Sequence, residues 1–155
     1  MLNWDHYKKG SWQTKEPNTF KILSIDGGGM KGVIPSQYLK KIEHIIGEPI
    51  HQHFDLLTGT STGGIICLGL ASGMSAEQIA NLYIQEGSQI FGTKKAKGYL
   101  INASYSNHPL KKLLIEKFAD KKILDANTML CIPSIEHHKA EPKVFKTPHH
   151  SDYIR

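Results

Sequence analysis

Apolar and polar residues alternate along Phe20-Lys21-Ile22-Leu23-Ser24-Ile25, a period of two that predicts a β-strand. The strand runs directly into the glycine tract Asp26-Gly27-Gly28-Gly29-Met30-Lys31-Gly32. Pro35 then suits a first helical turn, and Tyr38, Leu39, Ile42, Ile45 and Ile46 recur at helical spacing as one apolar face, with Gly47 as terminator and Pro49 beyond. A second short apolar run, 54–58, reads as a buried strand. After a tight glycine turn comes Ile65 to Ala71, apolar almost all round, which predicts a buried helix ending near Gly73. Ser75-Ala76-Glu77-Gln78 has capping-box spacing and opens another helix, with Ile79, Leu82, Tyr83 and Ile90 facing inward. The stretch 91–106 is irregular. Asn107 and Pro109 then start a helix striped by Leu110, Leu113, Leu114 and Phe118, and 129–133 and 143–146 read as two further strands. Strand and helix alternate as they do in a parallel α/β sheet.

Composition adds limits. At 155 residues, 39% hydrophobic and 21% charged, the chain fits one soluble globular domain, preceded by a polar lead-in arm over 1–19. No run approaches the roughly 20 apolar residues of a membrane span, and the first residues lack the apolar core of a secretory signal. The expected location is therefore cytoplasmic, or exported without such a signal. Cys67 and Cys131 read as small buried hydrophobes, not as a disulfide or metal ligands. The net charge of +5 arises in residues 91–155, where twelve Lys and Arg face six acids. That excess reads as a solvated helix face plus a basic loop. Without a nucleic-acid module signature no nucleic-acid partner is expected. The histidines, including His51, His53, His137, His138, His149 and His150, lack a third ligand at metal-site spacing.

The chemistry is concentrated at two strand ends. Gly59-Thr60-Ser61-Thr62-Gly63 has the G-x-S-x-G spacing of a nucleophile elbow. Such a turn strains the serine and leaves no room for side chains two residues to either side. The helix that follows aims free N–H groups and its positive dipole end at the same point. One strand earlier, Gly27-x-Gly29-x-x-Gly32 formally matches a dinucleotide fingerprint, but the acid that fingerprint needs at the end of a second strand is missing. Asp26-Gly27-Gly28-Gly29 would also suit a nucleotide-phosphate loop, but further nucleotide-contacting segments are not found. An oxyanion loop, its glycine N–H groups aimed at developing negative charge, accounts for both strand ends.

Together, Ser24-Ile25-Asp26-Gly27-Gly28-Gly29-Met30-Lys31-Gly32 and Phe54-Asp55-Leu56-Leu57-Thr58-Gly59-Thr60-Ser61-Thr62-Gly63-Gly64 resemble the patatin-like phospholipase family in motif, order and spacing. The later Ile132-Pro133-Ser134 and Val144-Phe145 are similar to that family's central strands, so the resemblance covers roughly residues 20–150. It implies a three-layer α/β/α fold with a mainly parallel central sheet, and a lipid acyl hydrolase that uses a serine–aspartate dyad without metal or other cofactor. Carried over, Ser61 is the nucleophile. Gly27, Gly28, Gly29, Lys31 and Gly32 form the oxyanion loop, and Gly59, Thr60, Thr62 and Gly63 form the elbow. The implied partner is a lipid substrate at a membrane or micelle interface, with Lys94, Lys95, Lys97 and Tyr99 to Ile101 as the expected interfacial loop.

The family's dyad aspartate sits in a later Asp-Gly-Gly or Asp-Gly-Ala segment, and the one Asp-Gly here, Asp26-Gly27, belongs to the glycine loop. Residues 20–155 are accordingly expected to be the N-terminal part of a catalytic domain, inactive alone for want of its base. Two alternatives stand beside this reading. One is a catalytically dead lipid- or protein-binding module. The other is a Ser-Asp-His hydrolase drawing on Asp120 or Asp125 with His137, His138, His149 or His150.

Overall fold

The computed structural model describes Trp12, residues 14–91 and residues 108–148. The elements, in order, are β1 (Ile22–Ile25), a 3-10 turn (Gly29–Gly32), α1 (Val33–Ile46), α2 (Ile50–His53), β2 (Leu56–Gly59), α3 (Thr62–Ala71), α4 (Ala76–Phe91), α5 (His108–Phe118), a second 3-10 turn (Ile123–Asp125), β3 (Met129–Glu136) and β4 (Glu141–Lys146). The four strands form one sheet in the order β1-β2-β3-β4. Leu23 pairs with Leu57 and Leu57 with Leu130 in parallel register, whereas β4 returns antiparallel to β3, Ile132 opposite Phe145. The predicted α/β class with a mainly parallel sheet is the observed one. The antiparallel turn at 137–140 went unforeseen.

Alternation decides which sheet face is inside. Leu23, Ile25, Leu57, Leu130 and Ile132 pack on α3, whose Ile66, Cys67, Leu70 and Ala71 are fully buried. Continuous hydrophobicity thus served, as expected, a helix enclosed between sheet and outer helices. Across the pleat, Ile22 and Ser24 are exposed, so the described residues supply helices to one face of the sheet and leave β1 open on the other. The Cys67 thiol donates to the Thr58 carbonyl at 3.2 Å, and burial pushes its pKa up to about 12, in keeping with an inert core residue. Cys131 is half-buried and equally free.

Helix boundaries follow local signals. Gly47 caps α1 in the left-handed conformation, φ 73°. The capping box at α4 closes both ways: Ser75 Oγ accepts from the Gln78 N–H and Gln78 Oε1 from the Ser75 N–H, at 3.1 and 2.9 Å. A second cap was not foreseen. The Glu43 carboxylate accepts the Ile50 and Ala76 N–H groups, tying the starts of α2 and α4 to α1.

The expected apolar face of α1 is divided. Leu39 and Ser36 are buried and Ile46 is half-buried, but Tyr38, Ile42 and Ile45 join Ile34 on an exposed strip. The helix is apolar on two sides, and only the side toward α4 is covered. The lead-in arm is docked where it is described. Trp12 Nε1 donates to the Ala126 carbonyl, and the Lys15 and Lys21 N–H groups donate to the Asp55 carboxylate, which is 1% exposed.

Candidate active site

The C-terminal ends of β1 and β2 lie side by side, Ile25 opposite Gly59, so the glycine loop and the elbow leave the sheet as neighbours. Ser61 bridges β2 and α3 with φ 51° and ψ −121°, a strained conformation for a residue bearing Cβ, and it is exposed. Its surroundings explain the flanking glycines. A Cβ on Gly63 would sit 2.0 Å from the Ile25 carbonyl oxygen, and one on Gly59 would sit 2.6 Å from the Gly63 carbonyl carbon. The turn is closed by the Gly63 N–H donating to the Thr60 carbonyl at 2.9 Å.

The glycine loop is laced to this elbow. A Cβ on Gly27 would meet Ser61 Cβ and the Thr60 carbonyl at 2.9 Å. The Gly27 N–H donates to Thr60 Oγ1 and the Gly28 N–H to Thr62 Oγ1, each at 3.1 Å. The two threonines flanking Ser61 therefore act as ties between the motifs, and the paired hydroxyls of Thr-Ser-Thr were the signal for it. Of the three glycine amides expected to face an oxyanion, Gly27 and Gly28 are engaged by these hydroxyls. The N–H groups of Gly29 and Met30 open the 3-10 turn and that of Thr62 opens α3, positions with no partner inside their own helices. The Lys31 side chain is exposed beside the loop, and its N–H donates to the Gly28 carbonyl at 3.1 Å.

Gly32, the last glycine of the tract, serves packing. It lies buried at φ −56°, and a Cβ there would stand 2.8 Å from Cε1 of Tyr83. Its smallness makes room for an aromatic ring, which is packing. Tyr83 OH in turn donates to the Thr62 carbonyl at 3.2 Å.

Among the described residues, no histidine or carboxylate hydrogen-bonds the Ser61 hydroxyl. Asp55 sits at the opposite end of β2, occupied by the arm. Asp125 accepts from the Lys122 N–H within its own turn, and His137 and His138 are exposed on the β3–β4 turn. His149 and His150 lie outside the described residues, as does the expected interfacial loop at Lys94, Lys95, Lys97 and Tyr99 to Ile101. His51 has a buried Nδ1 without a hydrogen-bond partner among the described residues, and burial first, then the Lys15 charge, lowers its pKa. His53 Nδ1 pairs with Glu48 at 3.0 Å. No group of three or more potential metal ligands occurs among the described residues, and no described helix is long and apolar enough to cross a membrane. An apolar cleft of about 590 Å³, lined by residues including Leu68, Leu114, Phe118 and Leu130, lies toward the far end of α3 from Ser61.

Comparison with known proteins gives the chain's relatives. The family described as patatin-like phospholipase matches residues 23–151. A cGAMP-activated phospholipase of Pseudomonas aeruginosa is 34% identical over 139 residues, covering 87% of this chain and 42% of the relative. One from Vibrio cholerae is 32% identical over 160 residues, covering 89% and 44%. Calcium-independent phospholipase A2-gamma of Rattus norvegicus is 34% identical over 137 residues, covering 81% and 18%. The chain thus spans about two fifths of the length of the bacterial relatives.

Proposed function

The chain belongs to the patatin-like phospholipase family, and from that premise we propose that it carries the nucleophile half of a lipid acyl hydrolase. Ser61 attacks the carbonyl carbon of a lipid acyl ester, the alkoxide departs with a proton, and water then releases the fatty acid from the acyl-enzyme. The observation that carries the reading is the strained, exposed Ser61 held against the glycine loop at the N-terminus of α3. The oxyanion is received by the amides of Gly29, Met30 and Thr62, which open their helices, while the Thr60 and Thr62 hydroxyls fix the loop through Gly27 and Gly28. Each well-placed donor is worth about 3 kcal/mol of transition-state stabilisation. Lys31 adds positive charge at the rim. The proton of Ser61 is taken by a carboxylate from outside the described residues, and without it the serine is expected to react slowly.

The substrate reaches the site from a membrane or micelle surface, with the chain in peripheral contact. The test is labelling of Ser61 with a fluorophosphonate, together with fatty-acid release from phospholipid vesicles, using the full-length natural protein. Both are expected to vanish in Ser61→Ala and to survive a metal chelator. A natural protein that binds vesicles but neither labels nor releases fatty acid would favour the second reading, a lipid-binding module, motivated by the absence, among the described residues, of a base hydrogen-bonded to Ser61. The bacterial relatives' names state activation by cGAMP; adding cGAMP to the same assay tests whether that control extends to this chain.

A further inference from the structure

We propose that Tyr83 is a positioning residue that holds the glycine loop and the serine elbow in register across Ser61. The inference rests on the reading of Ser61 as a nucleophile, although the geometry behind it does not. Tyr83 lies on α4, outside both motifs, and is 2% exposed. Its ring fills the space a Cβ on Gly32 would take, with Cε1, Cζ and OH at 2.8, 3.0 and 3.2 Å from that position. Its hydroxyl donates to the Thr62 carbonyl at 3.2 Å. Thr62 also receives the Gly28 N–H on its side-chain oxygen. A closed circuit results: glycine loop to Tyr83, Tyr83 to elbow, elbow back to glycine loop, with Ser61 at its edge.

Three features argue that the circuit is more than core packing. A phenol oxygen buried this deeply is costly unless it is hydrogen-bonded, so phenylalanine would fill the same space without that requirement. The carbonyl it chooses belongs to the residue directly after the nucleophile, and a carbonyl oxygen can accept there while still serving its helix. Finally, α4 presents an aligned face to the site. Ile79 meets α3 at Gly69, Tyr83 meets Gly32 and Thr62, and Gly87, one turn further, lies where a Cβ would be 2.7 Å from Met30 Sδ. The helix is a splint along elbow and loop, and Tyr83 is its polar contact there. Burial also pushes the phenol pKa up, which keeps the donor protonated at ordinary pH.

The experiment compares Tyr83→Phe with the natural sequence in the full-length protein. Loss of one hydrogen bond is expected to shift the melting temperature by only about 2–4 °C. Native-state amide exchange at Gly27 and Gly28 is expected to speed up about tenfold, with the β3–β4 ladder unchanged. The limiting rate of fluorophosphonate labelling at saturating probe is expected to fall about tenfold or more, and half-saturation to stay within about twofold. Gly32→Ala, which presses on the ring from the loop side, should give the same local exchange pattern. Unchanged exchange and labelling in Tyr83→Phe, or faster exchange spread evenly through the chain, would overturn the proposal. If the natural protein does not label at all, the nucleophile reading fails separately, and the exchange pattern alone decides the role of Tyr83.

Discussion

At Gly63 a single carbon is the difference between a formed elbow and a broken one, because a Cβ there would lie 2.0 Å from the Ile25 carbonyl oxygen, backbone that cannot step aside. Gly63→Ala is therefore expected to cost about 3 kcal/mol or more in a urea titration. Gly47→Ala, with φ 73° but open space around it, should cost only about 1 kcal/mol. An equal cost at both sites would show that the elbow relaxes. Cys67 offers a pH signature. Its thiol, near 9 when ordinary and about 12 when folded, favours the fold while neutral. That contribution is complete below about pH 9 and lost as pH rises toward about 12. The stability gap between the natural sequence and Cys67→Ala should shrink over that range, and a constant gap would refute the assignment.

Elements depend on caps as much as on propensity. Glu43, in the closing turn of α1, accepts the first N–H groups of two other helices, α2 through Ile50 and α4 through Ala76. Glu43→Ala is expected to destabilise by about 2 kcal/mol, roughly twice the about 1 kcal/mol of Ser75→Ala at the α4 capping box. Chemical denaturation of both variants measures the ratio; equal losses would mean that one of the two Glu43 contacts is idle. The Ser75–Gln78 box was legible because its partners are three residues apart. The Glu43 cap was not, since its partner at Ala76 lies 33 positions away and only the packing of α1 on α4 brings them together.

Among the described residues, apolar surplus lies on the outside in several places, α1 and the β3–β4 hairpin among them. On α1, Tyr38 and Ile45 are 68% and 70% exposed, and on the β3–β4 hairpin Ile135, Val144 and Phe145 are exposed as well. Apolar strips of this kind bind partners or dye. The 155-residue chain alone is expected to bind an environment-sensitive apolar dye and to self-associate, and Ile45→Lys with Ile135→Lys to reduce both. A monodisperse monomer without dye binding would contradict this.

The order of the main strands and helices and the place of the two glycine-rich strand ends were legible in the sequence itself, because strand period, helix period and glycine spacing are local properties that survive without tertiary context. Ser61 between Gly59 and Gly63, one strand after Gly27-Gly28-Gly29, was readable for that reason. Tertiary structure decided what local pattern cannot encode: which side of α1 is covered, that Gly32 yields its space to Tyr83, and that Thr60 and Thr62 hold the Gly27 and Gly28 amides. Each of these depends on contacts between residues more than thirty positions apart, where only the packed sheet and helices set the distance.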